Sequence, residues 1–248
     1  MYRLKAILLV PMTLLALYSC AQLPADEALP KFTVVPVEQD APWAVEWWGT
    51  RHAEKLERAK GTDVDLLFIG DSITHGWENQ GSEVWQAYYQ SRNAFNLGFS
   101  GDRTEHVLWR LENGAVDGMN PELAVLMIGT NNTGHRMDPA AYTAEGVGSI
   151  VRELRDRLPE TQILVLGIFP RHVSPRNEMR KRNEEINRLI SALDDGEMVN
   201  YLDVSQGFLN EDGTLRDSLM PDLLHPNSAG YQVWAEAMEP TIKQLLQD

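Results

Sequence analysis

A serine at position 72 has the local sequence of a candidate nucleophile. The stretch Gly70-Asp71-Ser72-Ile73-Thr74 directly follows an apolar run, residues 66–70. Gly70 permits a tight turn, and Ser72 would then be exposed where backbone N–H groups converge and favour negative charge. The stretch lacks the second glycine of the G-x-S-x-G elbow. Ser72 is therefore a candidate nucleophile or, in the simpler interpretation, a helix cap.

An acid and an imidazole that could activate this serine lie near the C-terminus. Asp222 precedes His225 by three positions. Such an aspartate can accept the imidazole Nδ1–H, which leaves Nε2 free to take a proton from a hydroxyl. The chain order Ser, Asp, His is one of the known orders of a catalytic triad. Five further histidines lack a suitably spaced acidic partner and are predicted to be surface or packing residues: His52, His75, His106, His135 and His172.

Two more loops carry hydrogen-bond donors. One is the stretch from Asn96 to Asp102, with glycines at positions 98 and 101, and the other is Gly129-Thr130-Asn131-Asn132. Glycine lets backbone N–H groups approach a ligand closely, and asparagine adds an uncharged side-chain donor. Together such donors could form an oxyanion hole, although each loop by itself also fits ordinary turn chemistry.

The elements that must position these loops follow an α/β pattern. Short apolar runs alternate with amphipathic stretches, which predicts one domain with a parallel sheet. Ligands of such sheets bind beyond the carboxyl ends of the strands, where three of these loops fall, and the Asp222–His225 stretch comes just before the last predicted helix. The predicted strands are 66–70, 94–98, 123–129, 163–169 and 199–204, and the predicted helices are 42–60, 83–90, 104–111, 139–157, 175–193 and 228–248.

Taken together, the four polar stretches resemble the SGNH, or GDSL, hydrolases. The stretches most similar to the branch of the brain-type platelet-activating-factor acetylhydrolase catalytic subunits are 68–74, 96–98 with 101–104, 106–111 with 113–114, and 129–132. This resemblance implies a three-layer α/β/α, flavodoxin-like fold with a five-stranded parallel sheet in the order 2-1-3-4-5. It also implies roles for individual residues, which are a triad of Ser72, Asp222 and His225, oxyanion donors at Ser72, Gly101 and Asn131, and an acyl pocket flanked by Ile73, Thr130 and Leu224.

Bulky side chains beside the nucleophile favour a short acyl group, so we expect a serine esterase for acetyl-type esters. For an exported bacterial protein the expected substrate is a carbohydrate ester, with a small lipid as the second option. Trp77, Phe99 and Phe169 are candidate platforms for sugar rings, although such aromatic residues belong more often to the core. The alternatives are a lysophospholipase or thioesterase of the same superfamily, and a non-catalytic glycan-binding lipoprotein.

The amino-acid composition restricts the classes of partner and cofactor that the chain is expected to bind. The 248 residues include 22 Lys and Arg against 36 Asp and Glu, a formal net charge of −14. Such an acidic chain has no electrostatic footprint for nucleic acid. Its single cysteine, Cys20, excludes an intramolecular disulfide and a cysteine-based metal cage. Histidine pairs spaced for zinc are also missing, so no metal or other cofactor is predicted.

The N-terminus indicates export. Arg3 and Lys5 precede an apolar stretch, residues 6–17, that is too short to span a bilayer. Residues 17–21, Leu-Tyr-Ser-Cys-Ala, resemble a lipoprotein cleavage box with Cys20 as the lipidated residue, and ordinary cleavage after Ala21 is the alternative. We expect a signal peptide (1–20), a flexible tether (21–40) and a hydrolase domain (41–248). The predicted location is the bacterial cell envelope, either lipid-anchored, in the outer membrane, or periplasmic, with any membrane contact through the anchor.

Overall fold

The structure, a computed structural model, describes residues 31–248. The predictions for the signal peptide and for lipidation of Cys20 lie outside the described residues. Among residues 31–248, no helix is both long enough and apolar enough to cross a membrane.

Five parallel strands form one sheet in the order β2-β1-β3-β4-β5. The predicted strand order and parallel sheet are confirmed. β3 and β5 end two residues earlier than predicted, and β4 ends three residues earlier. Two residues separate the end of β3 from a helix that begins at Thr130, and beyond β4 the Ile168 amide donates to the Asn187 side chain instead of a strand. The strands are β1 (Leu66–Gly70), β2 (Ala94–Gly98), β3 (Leu123–Met127), β4 (Gln162–Leu166) and β5 (Val199–Leu202).

Helices cover both faces of the sheet, because alternate strand residues point to opposite sides and both sides are apolar. Leu67 and Ile69 of β1 belong to one core cluster, and Leu66 and Phe68 belong to the other. The α-helices are α1 (Trp48–Ala59), α2 (Ser72–His75), α3 (Ser82–Tyr88), α4 (Thr104–Glu112), α5 (Thr130–Arg136), α6 (Ala140–Arg157), α7 (Glu178–Ile190) and α8 (Ser228–Leu246), and short 3₁₀ turns lie at 31–33, 76–78, 90–92, 191–193 and 205–208.

The first core cluster contains residues of α1, α4, α6 and α7, and the second contains residues of α3 and α8. The three-layer α/β/α arrangement is thus confirmed. Two predicted helices begin later than expected. Residues 42–47 form turns before α1, and Asn177 caps α7 by accepting hydrogen bonds from the amides of Met179 and Arg180.

Trp77, Phe99 and Phe169 are core residues, as the favoured interpretation of the sequence had it, and the alternative that they are sugar platforms is wrong. Each ring is at most 1% exposed. Trp77 packs against Trp234 with ring centroids 4.7 Å apart, and Phe99 packs against Trp48 at 5.6 Å. The residues that follow the strand ends turn back onto the core, so these rings contribute to hydrophobic burial and face no ligand.

The prediction of a tether through residue 40 is also wrong for its last residues. Thr33 and Gln39 are buried. The carbonyl of Thr33 accepts a hydrogen bond from the Thr104 hydroxyl at 3.0 Å, and the Val37 amide donates to the Glu105 carbonyl at 3.2 Å. Composition alone suggested a tether, but these contacts with α4 attach residues 33–47, here called the leading segment, to the folded domain.

Candidate active site

Ser72 lies at the carboxyl end of β1, as the first residue of α2. A Cβ at Gly70 would collide with the Thr74 hydroxyl and the Met127 carbonyl oxygen, so α2 can fold back on the strand end only because residue 70 is glycine. Asp71 caps α2 by accepting a hydrogen bond from the Ile73 amide at 3.0 Å. This sharp turn leaves the Ser72 side chain partly exposed at the edge of the sheet.

Three side chains form one hydrogen-bonded chain at this edge. Ser72 Oγ lies 2.9 Å from His225 Nε2, and His225 Nδ1 lies 2.6 Å from Asp222 Oδ2. The other Asp222 oxygen accepts the backbone amides of His225 at 2.7 Å and Leu224 at 3.0 Å. Both carboxylate oxygens are therefore engaged, and the imidazole ring is fixed in an orientation that directs Nε2 to the hydroxyl.

The carboxylate of Asp222 is maintained in its charged form. Partial burial raises its pKa, but the hydrogen bonds from the amide and imidazole of His225 outweigh that effect, and the net pKa lies below the usual value. Above that pKa, Asp222 is an acceptor only, so Nδ1 must carry the proton and Nε2 is left as a base.

The loop after β2 lies against the Ser72 turn. The Phe99 amide donates to the Gly70 carbonyl at 3.0 Å, so the segment that leads to Gly101 is bonded to the end of β1. Gly101 has φ +78°, a backbone conformation that favours glycine. Its neighbour Asp102 is fully buried and accepts hydrogen bonds from Trp48 Nε1 at 2.6 Å and Arg110 Nε at 2.8 Å.

The loop after β3 is bonded in turn to the loop after β2. Asn131 Nδ2 donates to the Asp102 carbonyl at 2.9 Å, which places the Asn131 amide beside the Gly101 turn. Asn132 is buried and accepts the Thr104 amide at 3.1 Å. The two predicted oxyanion donors other than Ser72 thus belong to one hydrogen-bonded unit, and that unit contacts the β1 turn.

Asp102 and Arg110 form a buried pair beneath this unit, and this burial affects the pKa of Asp102. Burial raises the pKa of Asp102 to about 6, while Arg110 opposes that rise. Asp71 has no such cation in hydrogen-bond contact within the described part of the chain, and burial raises its pKa to about 7. The Ser72 turn therefore has a carboxyl group on its inner side that releases its proton near neutral pH.

The residues predicted to flank an acyl group lie on three loops. Ile73 and Thr130 are each 1% exposed, whereas Leu224 is partly exposed. Thr130 is held by Arg171, whose Nη1 donates to the Thr130 carbonyl at 2.9 Å. Their contact with an acyl group remains a prediction.

Sequence reasoning missed Arg171 and the leading segment. Arg171 follows the end of β4, so the rule that located the other loops applies to it as well. Gln39 had no such signal, yet its Nε2 contacts the Gly101 carbonyl at 3.4 Å and His106 Nδ1 at 3.1 Å.

A second serine–histidine pair lies close by. Ser100 Oγ is 3.0 Å from His75 Nδ1, and His75 Nε2 is 4.0 Å from Glu78, which is already paired with Arg51 and Lys55. Among residues 31–248, this pair has no carboxylate within hydrogen-bond distance of its imidazole, so it lacks the orienting group that His225 has. Within residues 31–248, no three His, Cys, Asp or Glu side chains are grouped so that they could hold a metal ion.

Comparison with known proteins assigns the family. Residues 68–233, more than half of the chain, match the model of the GDSL-like lipase/acylhydrolase family. The chain belongs to this family. In this GDSL hydrolase the eponymous stretch is Gly70-Asp71-Ser72-Ile73. The resemblance noted from the sequence motifs is thereby confirmed, and the chain is placed among ester hydrolases.

Curated relatives of this GDSL hydrolase include two mammalian acetylhydrolase subunits. The human platelet-activating factor acetylhydrolase IB subunit alpha1 is 34% identical over 200 residues, which are 80% of this chain and 84% of the relative. The rat subunit alpha2 is 34% identical over 202 residues, 81% of this chain and 86% of the relative.

Solved structures similar to this GDSL hydrolase share its fold. A GDSL-like lipase from Bacteroides thetaiotaomicron has a TM-score of 0.62 at 19% identity and covers 80% of this chain and 97% of its own. The acetylxylan esterase Axe2 from Geobacillus stearothermophilus has a TM-score of 0.59 at 21% identity, with 75% and 95% covered.

Proposed function

We propose that the protein is a serine esterase that hydrolyses short-chain, acetyl-type esters through an acyl-enzyme. The observation that carries this proposal is the continuous chain from Ser72 Oγ to His225 Nε2 at 2.9 Å and from His225 Nδ1 to Asp222 at 2.6 Å. A serine is activated as a nucleophile when an imidazole can accept its proton and a carboxylate orients that imidazole.

In the proposed mechanism, His225 Nε2 accepts the Ser72 proton as Oγ attacks the ester carbonyl. The resulting oxyanion receives hydrogen bonds from the amides of Ser72 and Gly101 and from the side chain of Asn131. The imidazolium then protonates the departing alcohol, which leaves an acyl-serine. Water, deprotonated by the same imidazole, attacks the acyl-serine and releases the acid and free Ser72.

The short acyl preference is supported by the packing around the nucleophile. Ile73 and Thr130 have branched side chains that are almost wholly buried next to Ser72 and Asn131 respectively. A long acyl chain would have to displace this packing. The relatives named as acetylhydrolases support the same conclusion.

For the alcohol part, we propose a carbohydrate. The neighbour named as an acetylxylan esterase supports that choice, and the relatives named for platelet-activating factor favour a small lipid as the second candidate. A lysophospholipase or thioesterase would instead favour long acyl chains, and a glycan-binding lipoprotein without catalysis would show no turnover.

The deciding experiment compares p-nitrophenyl esters from acetyl to decanoyl with wild-type protein and Ser72→Ala. We expect the highest kcat/KM for the acetyl ester and, in Ser72→Ala, only residual catalysis of about 10³–10⁴ over water. A fluorophosphonate probe should label wild type and Ser100→Ala but not Ser72→Ala. Label on Ser100, or wild-type rates in Ser72→Ala, would contradict the proposal, and a decanoyl preference would favour the lipase alternative.

We further propose that the chain is exported and attached to the bacterial envelope through a lipid on Cys20. Expression in a bacterium fed radiolabelled palmitate should give a labelled, membrane-fractionating protein, and Cys20→Ser should be unlabelled. Release of unlabelled wild-type protein into the periplasm would instead favour cleavage after Ala21.

A further inference from the structure

We propose that Trp43 is a stacking platform for a sugar ring at the rim of the active site, and that the substrate is an acetylated carbohydrate. This inference rests on the proposed esterase function and names the residue that would bind the alcohol part. Its starting point is the leading segment, to which sequence analysis gave no functional role.

Trp43 lies directly against the residue that carries a proposed oxyanion donor. A Cβ at Gly101 would collide with Cη2 of the Trp43 ring, and the neighbouring ring carbons Cζ2 and Cζ3 would be 2.8 and 2.9 Å from it. The outer edge of the indole therefore packs on the Cα of Gly101. A group bound on Trp43 is next to the place where the ester carbonyl would be held.

The position of Trp43 is not explained by core packing. Its side chain is 52% exposed, whereas Trp48, Trp77 and Trp234 are at most 1% exposed. Contact between water and an aromatic surface is unfavourable, so a ligand that covers this surface would gain binding free energy. The flat indole face, bordered by the active-site turn, suits a flat, weakly apolar partner.

The backbone that carries the ring is also held in place. The Trp43 carbonyl accepts a hydrogen bond from Trp47 Nε1 at 3.1 Å. Gln39, which is buried, accepts the Ala41 amide at 3.2 Å and contacts the Gly101 carbonyl through its Nε2 at 3.4 Å. The leading segment is thus fastened on both sides of Trp43, so little conformational freedom is lost when a ligand binds.

Polar groups beside the ring favour a sugar over an alkyl chain. The exposed His135 lies edge-on to Trp43, with ring centroids 6.3 Å apart, and its Nδ1 is 3.2 Å from Arg103 Nη1. Partial burial and the nearby arginines, Arg103, Arg171 and Arg136, lower the pKa of His135, which favours the neutral imidazole. A pyranose offers C–H groups to the indole face and hydroxyls to such polar neighbours, whereas an alkyl chain can form no hydrogen bond with them.

The test compares three acetyl esters that differ in the alcohol part, namely p-nitrophenyl acetate, acetylated xylo-oligosaccharides and an ether phospholipid acetylated at its second carbon. The variants are Trp43→Ala and Trp43→Phe, with Val45→Ala as the control because Val45 is also exposed and lies two residues away. Thermal unfolding of each variant verifies that it is folded.

For acetylated xylo-oligosaccharides, Trp43→Ala should lower kcat/KM about five- to tenfold through a higher KM, and Trp43→Phe should lose less. The loss on p-nitrophenyl acetate should be smaller than the loss on the oligosaccharides, because that ester has no sugar ring. Titration of the oligosaccharide into Ser72→Ala, with and without Trp43→Ala, should show the same loss of affinity without turnover.

Any of four results would overturn this inference. They are equal losses on all three esters, a loss confined to the phospholipid, an effect of Val45→Ala as large as that of Trp43→Ala, and failure of the wild-type protein to hydrolyse the oligosaccharides. None of these outcomes affects the esterase proposal if Ser72 is still needed for p-nitrophenyl acetate hydrolysis. Conversely, turnover of that ester without Ser72 would refute the proposed function itself.

Discussion

Ser72 and His225 are 153 positions apart in the chain, yet Ser72 Oγ and His225 Nε2 lie 2.9 Å from each other. The closure depends on α8. The Tyr231 hydroxyl, near the start of that helix, donates to the Ile73 carbonyl of α2 at 2.6 Å. The helix that follows His225 is thus bonded to the helix that begins with Ser72. This bond between the two helices brings the Ser72 and His225 side chains together.

Replacement of Asp222 by asparagine should impair activity far more than folding. The neutral amide would lack the negative charge with which the carboxylate fixes the imidazole tautomer, so kcat should fall by roughly 10²–10⁴-fold. Asp217→Asn is the matched control, because Asp217 is an exposed aspartate of the same loop region. Steady-state hydrolysis of p-nitrophenyl acetate measures both variants, and equal rates in the two would contradict the assigned role of Asp222.

Asn131→Ala should lower kcat by about 10²–10³-fold, because one oxyanion donor is removed. The change also leaves the Asp102 carbonyl without its 2.9 Å donor, which should destabilise the fold by about 1 kcal/mol. Asn187→Ala is the control, since this buried asparagine bonds the Ile168 amide and carbonyl away from the Ser72 turn. We expect the control to lose stability with kcat retained; a comparable kcat loss there would argue against an oxyanion role.

Tyr231→Phe should test how the two helices are joined. The substitution leaves the Ile73 carbonyl without its hydroxyl partner and should destabilise the protein by about 1–3 kcal/mol. Tyr88→Phe, which removes a hydroxyl that accepts a hydrogen bond from the Gln232 side chain at 3.1 Å, should cost less. Urea unfolding monitored by tryptophan fluorescence gives both values, and a smaller loss for Tyr231→Phe than for Tyr88→Phe would refute the proposed tie.

Arg110→Met should be the most destabilising of these changes, by about 3–5 kcal/mol, because it strands the buried Asp102 carboxylate. Arg152→Met is the contrast, since the Arg152–Glu145 pair is largely exposed and should be worth less than about 1 kcal/mol. Asp102 has a pKa raised by burial to about 6, so without Arg110 it can escape the penalty by protonation. Urea unfolding at pH 5 and pH 8 should therefore show the larger loss at pH 8.

Asp71→Asn should change how stability depends on pH. Burial raises the Asp71 pKa from 3.8 to about 7, so the folded protein binds a proton that the unfolded chain releases between those values. The Asp71 contribution to stability is therefore complete below about pH 4 and is lost as pH rises to about 7, at up to about 1.4 kcal/mol per pH unit. Asparagine cannot titrate, so this loss should be absent in the variant.

Urea unfolding of wild type and Asp71→Asn at several pH values from 4 to 8 measures this effect. Because the other groups titrate in both proteins, the difference between their free energies of unfolding isolates Asp71. That difference should grow in favour of the variant as pH rises, and a difference that stays constant would contradict the raised pKa.

Much of the candidate site was predictable from local sequence. Asp222 and His225 are three residues apart, and Ser72, Gly101 and Asn131 each follow the end of an apolar run. Chemical type and short spacing are properties of a segment by itself, and the parallel sheet then brings all strand ends to one edge. The family resemblance supplied the strand order, which the structure confirms.

Other features depended on the tertiary structure. Residues 33–40 have the composition of a tether but pack on α4, and Trp77, Phe99 and Phe169 are core residues although their loop positions fitted a ligand platform. Trp43 contacts Gly101, which is 58 positions away in the chain, and no sequence motif indicates this contact. Residue types and their local spacing predict which groups can react and on which elements they lie. Which distant side chains touch, and which aromatic ring stays exposed, was decided by how the segments dock, because docking depends on many weak contacts spread over the whole core rather than on any local pattern.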